Sequence, residues 1–186
     1  MVKLQLIQFT TAHFDILEKE IKDTKALMQW AGPKYSYPLS WDQMKNKIDE
    51  QDENGQKNFL FSAEILNLSE VIGHVQLSML DRTAKIGNIG SLLVFSKFRN
   101  MGLGKEIVKE IMKLGFHDKN LNELRLGVFD FNSPAIRCYR KIGFKDYDFE
   151  KNAREIENES WNLIRMKITK EEFLKHVERG PSMART

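Results

Sequence analysis

Two glycines and two basic residues lie close together near the middle of the 186-residue chain. Gly102 and Gly104 are separated by one residue, Arg99 precedes them, and Lys105 follows them. Glycine lets a backbone approach a ligand closely, and the first turn of a helix offers unpaired N–H groups to negative charge. An apolar stretch precedes the segment and an amphipathic stretch follows it. The pattern therefore predicts a cradle for an anion, and a diphosphate is the ligand that fits it best.

Individual residues exclude two common diphosphate-binding motifs. A dinucleotide fingerprint requires a third glycine at position 107, where the chain has Ile107. A P-loop requires glycine at position 99 and serine or threonine at position 106, where the chain has Arg99 and Glu106. Since short glycine motifs also recur by chance, a strand–helix turn whose glycines serve packing alone stays an alternative.

A second block of residues accompanies the glycine segment. It begins at Asn132, follows the pattern Asn-x-x-Ala-x-x-x-Tyr as far as Tyr139, and ends in Gly143-Phe144. Together the two blocks resemble the acetyl-CoA signature of the GNAT superfamily of N-acetyltransferases and the segment that follows it in that family. The resemblance covers residues 86–144, and it implies an acetyl-CoA-dependent acyltransferase of bacterial type.

The resemblance implies roles in cofactor binding. The backbone of the strand before the signature would contact the pantetheine arm, and Asn132 would lie near the same arm. Ser96 and Asn100 depart from the proline and glycine usual in the family, but asparagine also tolerates left-handed backbone conformations. The implied contacts to pantetheine come from Leu92, Leu93 and Val94, and those to the pyrophosphate from Arg99, Asn100, Met101, Gly102, Leu103, Gly104 and Lys105.

Tyr139 is the residue to which the resemblance gives a catalytic role, beside the thioester sulfur. A phenol, with a pKa near ~10, is protonated at neutral pH and can protonate a departing thiolate. The alternative is a core tyrosine that shares a helix face with Ala135 and Ile142. The neighbouring Cys138 lacks a spaced histidine partner, so we interpret it as a packing residue and not as a nucleophile.

The general base is not specified by the sequence. Residues 86–92, which form the strand before the signature, contain no carboxylate. Glu64, His74 and Asp81 are candidates elsewhere, and each of them also fits a surface or hairpin position. A chain of waters, or an acceptor amine that arrives neutral, would serve as well, so no base is assigned.

Aromatic residues in the first quarter of the chain are candidates for the acceptor site. Residues 30–33 (Trp-Ala-Gly-Pro) and 37–39 (Tyr-Pro-Leu) are similar to the substrate-side loop of bacterial members of the family. We therefore expect Trp30 and Tyr37 to bind the amine acceptor, a small molecule or a protein N-terminus. Together with Tyr35 and Trp41, these residues fit equally well a cluster that covers a loop.

The apolar spacing predicts a mixed α/β (α+β) fold with a central sheet covered by helices, and the resemblance implies that this sheet is mostly antiparallel. Ser40 and Thr169 begin capping boxes, and residues 86–95 are apolar enough to predict burial on both faces. The predicted strands span residues 4–9, 58–65, 71–80, 86–95, 123–129, 144–151 and 161–168. The predicted helices start at residue 12 and at each capping box, and span residues 103–116 and 134–141.

Composition excludes several classes of protein. The 29 Lys and Arg residues exceed the 26 Asp and Glu residues by a net charge of +3 that is spread along the chain, so no nucleic-acid partner is expected. No apolar run approaches the ~18 residues of a membrane-spanning helix, and no signal peptide is visible, which predicts a cytoplasmic protein with no membrane partner. One cysteine and four scattered histidines predict no metal site.

Length predicts one acetyltransferase domain over residues 1–179, followed by a flexible tail at 180–186. The oligomeric state is not specified by the sequence, and the final strands of this family often pair between subunits, which allows a homodimer. The function favoured is transfer of the acetyl group of acetyl-CoA to a primary amine by direct attack in a ternary complex. The alternative is a non-catalytic acyl-CoA-binding or sensing module, which the missing carboxylate favours and the presence of both Asn132 and Tyr139 opposes.

Overall fold

The strands and helices follow one another in the predicted order, with three added elements: α2, β2 and β3. The computed structural model describes residues 2–49, 51–52, 55–56 and 58–178; residue 179 and the predicted tail at 180–186 lie outside the described residues. The strands are β1 (Leu4–Gln8), β2 (Gln51–Asp52), β3 (Gly55–Gln56), β4 (Asn58–Ile65), β5 (Glu70–Asp81), β6 (Ile86–Val94), β7 (Glu123–Phe129), β8 (Lys145–Ile156) and β9 (Glu159–Thr169). The helices are α1 (Thr11–Glu18), α2 (Thr24–Ala31), α3 (Trp41–Asp49), α4 (Leu103–Lys113), α5 (Ser133–Ile142) and α6 (Lys170–Glu178).

One sheet of seven strands forms the centre of the molecule, in the order β1-β4-β5-β6-β7-β9-β8. All neighbouring strands are antiparallel except β6 and β7, which run parallel. Helices pack on this sheet: α2 against β6, α3 against β4, α4 against β1, β5 and β6, and α6 against β9. The predicted mixed fold with a mostly antiparallel sheet is confirmed.

Helix α4 carries the predicted apolar stripe into the core. Leu103, Ile107 and Ile111 are buried, as the spacing predicts. The helix ends earlier than residue 116, because a wider π-helical turn, Leu114–Asp118, replaces its last turn. Gly115 allows that turn to lie against β7, since a Cβ there would come within 3.1 Å of a methyl group of Leu124.

The two predicted capping boxes have different outcomes. At α6 the box is complete: Thr169 Oγ1 accepts the N–H of Glu172 at 3.2 Å, and Glu172 Oε2 accepts the N–H of Thr169 at 2.9 Å. At α3 half of it forms, because Ser40 Oγ accepts the N–H of Gln43 while the Gln43 side chain bonds backbone groups of Ser36 instead. That side chain therefore holds the loop before α3 against the helix.

Helix α2 was not predicted. Asp23 begins it, with its carboxylate accepting the N–H of Ala26 at 2.7 Å. Correspondingly, α1 ends at Glu18, and Ile21, which was expected on its stripe, is buried in the connection to α2. Trp30, which was expected in a loop, is therefore a helical residue near the end of α2.

The expectation that β6 is buried on both faces is wrong. Gly87, Ile89 and Ser91 are buried, whereas the residues between them are partly exposed. The physical reason is that one face of this apolar strand borders a cavity, so only the other face packs against the core.

Candidate active site

The site begins where β6 and β7 separate. The two parallel strands pair at three positions, Ile86 with Glu123, Gly87 with Leu124, and Asn88 with Arg125. Beyond these pairs β6 continues along β5 and β7 continues along β9. A cavity of about 270 Å³ occupies the gap, lined by residues 88–92 of β6 and 126–129 of β7. Backbone groups on the facing edges of the strands are therefore available to a ligand.

A β-bulge in β6 shapes one wall of this cavity. Gly90 lies opposite Gln76 and Leu93 opposite His74, so that Ser91 and Leu92 together face a single residue of β5. Ser91 has a left-handed backbone, with φ of +49°. Its carbonyl accepts a hydrogen bond of 2.7 Å from Trp30 Nε1, which fixes the bulge to α2.

The segment after β6 has the geometry of an anion cradle. Asn100 and Gly102 are both left-handed, with φ of +63° and +75°, and Gly102 is the N-cap of α4. Asparagine at position 100 therefore takes the conformation that was expected of it. Among the described residues, the five backbone N–H groups of residues 100–104 have no hydrogen-bond acceptor, whereas those of Arg99 and Lys105 bond Ser96 and Gly102. Five consecutive unpaired N–H groups at a helix start favour a bound anion.

Arg99 is held by a residue that the sequence analysis missed, Glu20. One oxygen of this carboxylate accepts the N–H and the hydroxyl of Ser96 at 2.9 and 2.8 Å, and the other accepts Arg99 Nη2 at 2.9 Å. Arg99 Nε also donates to the Val94 carbonyl at 3.0 Å. Glu20 thus fixes the start of the cradle, and no local signal reveals it because it lies 79 positions from Arg99.

The second predicted block supplies Asn132 and Tyr139, and both line the cavity. Asn132 begins α5, and its Oδ1 accepts the N–H of Ala135 at 3.3 Å. Tyr139 is 9% exposed, and its ring packs edge-on against Phe144. Burial, with a smaller contribution from Cys138, raises the pKa of Tyr139, so its hydroxyl stays protonated at neutral pH.

The predicted site residues divide into those that reach the cavity and those that do not. Trp30 and Leu92 line it. Leu93 and Val94 pair with β5, and the expected acceptor residue Tyr37 lies outside the cavity lining. Tyr37 is 46% exposed, and its hydroxyl donates to the Lys22 carbonyl at 3.0 Å. The structure therefore brings Trp30 to the site and leaves Tyr37 at the surface.

None of the three candidate bases lines the cavity. The Glu64 carboxylate accepts a hydrogen bond from Gln5, and Asp81 accepts the N–H of Ala84 at 2.8 Å. His74 is 1% exposed between the rings of Phe9 and Trp30. Burial, helped by nearby positive charge, lowers the pKa of His74 to about 3. Burial also raises the pKa of the Cys138 thiol, which disfavours the thiolate.

Positive charge lines part of the cavity wall, which the sequence analysis also missed. Lys34, from the turn after α2, and Arg154 and Arg165, from β8 and β9, contribute to the wall. Among the described residues that line the cavity there is no Asp or Glu. Within the described part of the chain, no group of three or more His, Cys, Asp or Glu residues is arranged to hold a metal ion. No helix there is long and apolar enough to cross a bilayer.

Comparison with known proteins identifies relatives of this chain. The model of the acetyltransferase (GNAT) family matches residues 24–144. The SPbeta prophage-derived N-acetyltransferase YokL of Bacillus subtilis is 28% identical over 109 residues, 58% of this chain and 59% of that protein. The L-amino acid N-acetyltransferase AaaT of Escherichia coli is 27% identical over 78 residues, 41% of this chain and 48% of that protein. The chain thus spans about half the length of these relatives.

A solved structure shares nearly the whole fold. The spermidine N-acetyltransferase from Vibrio cholerae, in complex with CoA and spermine, superposes with a TM-score of 0.78. The match covers 92% of this chain and 98% of that chain at 16% sequence identity. At this identity the likeness concerns the fold.

Proposed function

The chain belongs to the acetyltransferase (GNAT) family, and we propose that it transfers the acetyl group of acetyl-CoA to a primary amine by direct attack in a ternary complex. One observation carries the proposal. The cleft between β6 and β7 contains Tyr139, and the unpaired N–H groups of residues 100–104 follow β6 at the start of α4, where a Cβ on Gly104 would lie 3.4 Å from a methyl group of Val94. A single extended molecule with a phosphate end and a reactive end fits this arrangement.

The cofactor-binding residues are proposed as follows. The five unpaired N–H groups favour a pyrophosphate, and a Cβ at Gly102 would meet no atom within 4 Å, so the approach is open. The unpaired edge of β6, with Leu92 on the cavity wall, favours an extended amide chain such as pantetheine, and Asn132 lies across the same cavity. Acetyl-CoA, when bound, supplies an activated thioester. The proposed cofactor-binding set is Leu92, Leu93, Val94, Arg99, Asn100, Met101, Gly102, Leu103, Gly104, Lys105 and Asn132.

Tyr139 is proposed to stabilise the departing thiolate. Its hydroxyl keeps its proton at neutral pH because burial raises its pKa. Since that pKa lies above that of a thiol, the hydroxyl serves mainly as a hydrogen-bond donor to the developing negative charge. Phe144 and the helix fix the ring, so the donor is positioned before the reaction begins.

The acceptor amine is proposed to lose its proton through the electrostatics of the cavity. A neutral amine is required for attack, and no carboxylate or histidine is among the described lining residues. Desolvation in the cavity disfavours a cation and so lowers the pKa of an ammonium group placed there, and no acidic side chain among the described lining residues opposes this effect. No single residue has to act as general base under this proposal.

The first test is release of free thiol from acetyl-CoA in the presence of a panel of primary amines. Amine-dependent release supports acetyl transfer. Tight acetyl-CoA binding without release for any amine supports the alternative, a non-catalytic acyl-CoA-binding or sensing module, which the absence of a described carboxylate in the cavity favours. The folded variant Gly102→Asp serves as the control for release that does not depend on the cradle.

Three further expectations complete the proposal. The acetyltransferase domain comprises residues 1–179, the protein acts in the cytoplasm, and two copies form a homodimer through the final strands. Size-exclusion chromatography with light scattering tests the homodimer directly. A monomer at micromolar concentration contradicts that part of the proposal and leaves the chemistry unaffected.

A further inference from the structure

Lys34 places an ammonium group against the bulged strand inside the cavity. Its Nζ lies 3.3 Å from Gln76 Oε1. A Cβ on Gly90 would lie 2.9 Å from the same Nζ, so the charge is next to the residue that precedes the bulge at Ser91. Lys34, Tyr139 and residues 88–92 of β6 therefore line the same cavity.

The side chains around this ammonium group are neutral and held in place by hydrogen bonds to one another. Gln76 is 1% exposed, and its Nε2 donates to Asn58 Oδ1 and to Ser78 Oγ, both at 3.0 Å. These bonds aim its Oε1 at Lys34, and Ser91 Oγ also donates to that oxygen at 3.4 Å. The glutamine is thus a fixed acceptor for one of the three N–H groups of Lys34.

Lys34 has no counter-charge from the described residues. No described carboxylate forms an ion pair with it, and burial together with the charge of Lys47 lowers its pKa. A half-buried cation with one neutral acceptor is costly unless a ligand completes it. The other two cations of the cavity differ, because Arg165 pairs with Asp148 and Glu150, and Arg154 lies 3.8 Å from Glu150.

We propose that Lys34 binds a carboxylate group of the acceptor, so that the preferred substrates are amines that also carry a carboxylate. The inference rests on the proposed function, because it names the substrate class of the same site. An acceptor of this kind neutralises the uncompensated charge and leaves its amine near the β6 bulge. A polyamine, which brings several positive charges to a cavity without a described acidic lining, is a poor acceptor.

The test compares acceptors that differ in one charge. Glycine and glycinamide, and β-alanine and β-alaninamide, are assayed with acetyl-CoA at equal concentrations of unprotonated amine, with spermidine as the polycation. The wild-type protein is expected to have a kcat/KM at least about tenfold higher for each amino acid than for its amide. A preference for the amides or for spermidine overturns the inference while leaving acetyl transfer intact. Absence of thiol release for every amine overturns the proposed function itself.

Variants connect the preference to Lys34. Lys34→Met is expected to lose at least about tenfold in kcat/KM for the amino acids, mainly through KM, and to stay within about threefold for the amides. Lys34→Arg is expected to keep the preference. Lys45→Met, an exposed lysine of α3, makes the same change in net charge and is expected to behave as wild type. An equal loss of kcat/KM for amino acids and amides in Lys34→Met contradicts the inference. Lys34 would then act on a step that all acceptors share, such as polarisation of the acetyl carbonyl.

Discussion

Trp30 Nε1 donates a buried hydrogen bond of 2.7 Å to the carbonyl of Ser91, 61 positions further along the chain. The bond joins the end of α2 to the bulge of β6, across the wall of the cavity. Because the Ser91 backbone is left-handed, the bulge depends on such external support. The position of the β6 backbone in the cavity is therefore set from outside the strand.

Trp30→Phe is predicted to reduce stability and turnover together. The ring is largely retained, but the buried Ser91 carbonyl loses its donor, which costs about 1–3 kcal/mol of unfolding free energy. Urea unfolding and acetyl-transfer kinetics measure the two effects. Trp161→Phe is the matched control, since the Trp161 indole bonds Glu159, a surface carboxylate, at 3.2 Å. Equal losses in the two variants contradict a special role for the Trp30 bond.

Gly102→Asp is predicted to abolish acetyl-CoA binding. The change places a carboxylate at the cradle, where negative charge opposes a pyrophosphate. Gly102→Asn is the matched control, because asparagine has nearly the same shape, tolerates the left-handed φ of +75° and carries no charge. Calorimetric titration is expected to show weaker but measurable binding for the asparagine variant. If both variants keep wild-type affinity while folded, residues 99–105 do not hold the phosphates.

Tyr139→Phe is predicted to slow single-turnover acetyl transfer about a hundredfold, the low end of the range for removing one hydrogen-bond donor to a developing negative charge. The ring contact with Phe144 is kept, so folding and acetyl-CoA affinity are expected to stay close to wild type. Tyr37→Phe, which removes a surface hydroxyl outside the cavity, is the control. A single-turnover rate for Tyr139→Phe within about threefold of wild type would show that this tyrosine only packs in the core.

His74 is predicted to make stability fall between pH 7 and pH 5. Its pKa is about 3 in the folded protein and near 6.5 when unfolded, so in this interval the unfolded chain binds a proton that the folded protein does not. Stability therefore decreases as pH falls, by roughly 2 kcal/mol at pH 5 from this residue. Paired carboxylates such as Glu172, whose pKa Lys145 lowers to about 2, act below this interval.

His74→Phe isolates that contribution, because phenylalanine fits between the neighbouring aromatic rings and does not titrate. Urea unfolding at pH 7 and pH 5 is expected to show a smaller decrease for the variant than for the wild type. The residual decrease includes His13, whose pKa burial also lowers. An identical decrease in both proteins shows that His74 is protonated in the folded state, contrary to its buried position.

The cofactor half of the site was accessible from the sequence because its features are local. Gly102, Asn100 and the start of α4 lie within a few residues of one another, and their backbone conformations follow from residue type. The same holds for the start of α5 at Asn132 and the capping box at Thr169. The conformation of such a short segment is determined mainly by its own residues and little by distant contacts.

Other parts of the candidate site were not accessible from the sequence, because they depend on contacts between distant segments. Glu20 reaches Arg99, and Lys34 reaches Gln76, through the packing of α1 and α2 on the sheet. The prediction that Tyr37 binds the acceptor stays untested. Aromatic residues in a loop suit a pocket and a surface equally, and the structure places Tyr37 outside the described cavity lining, with its hydroxyl on the Lys22 carbonyl.

The brief contact between β6 and β7 makes the sheet continuous at one end only. Three residue pairs join the four-stranded half β1-β4-β5-β6 to the three-stranded half β7-β9-β8, all of them at one end of the cleft. Beyond these pairs the facing edges of β6 and β7 carry backbone groups that no described strand satisfies. An extended ligand that bonds both edges would therefore complete the sheet as an additional strand.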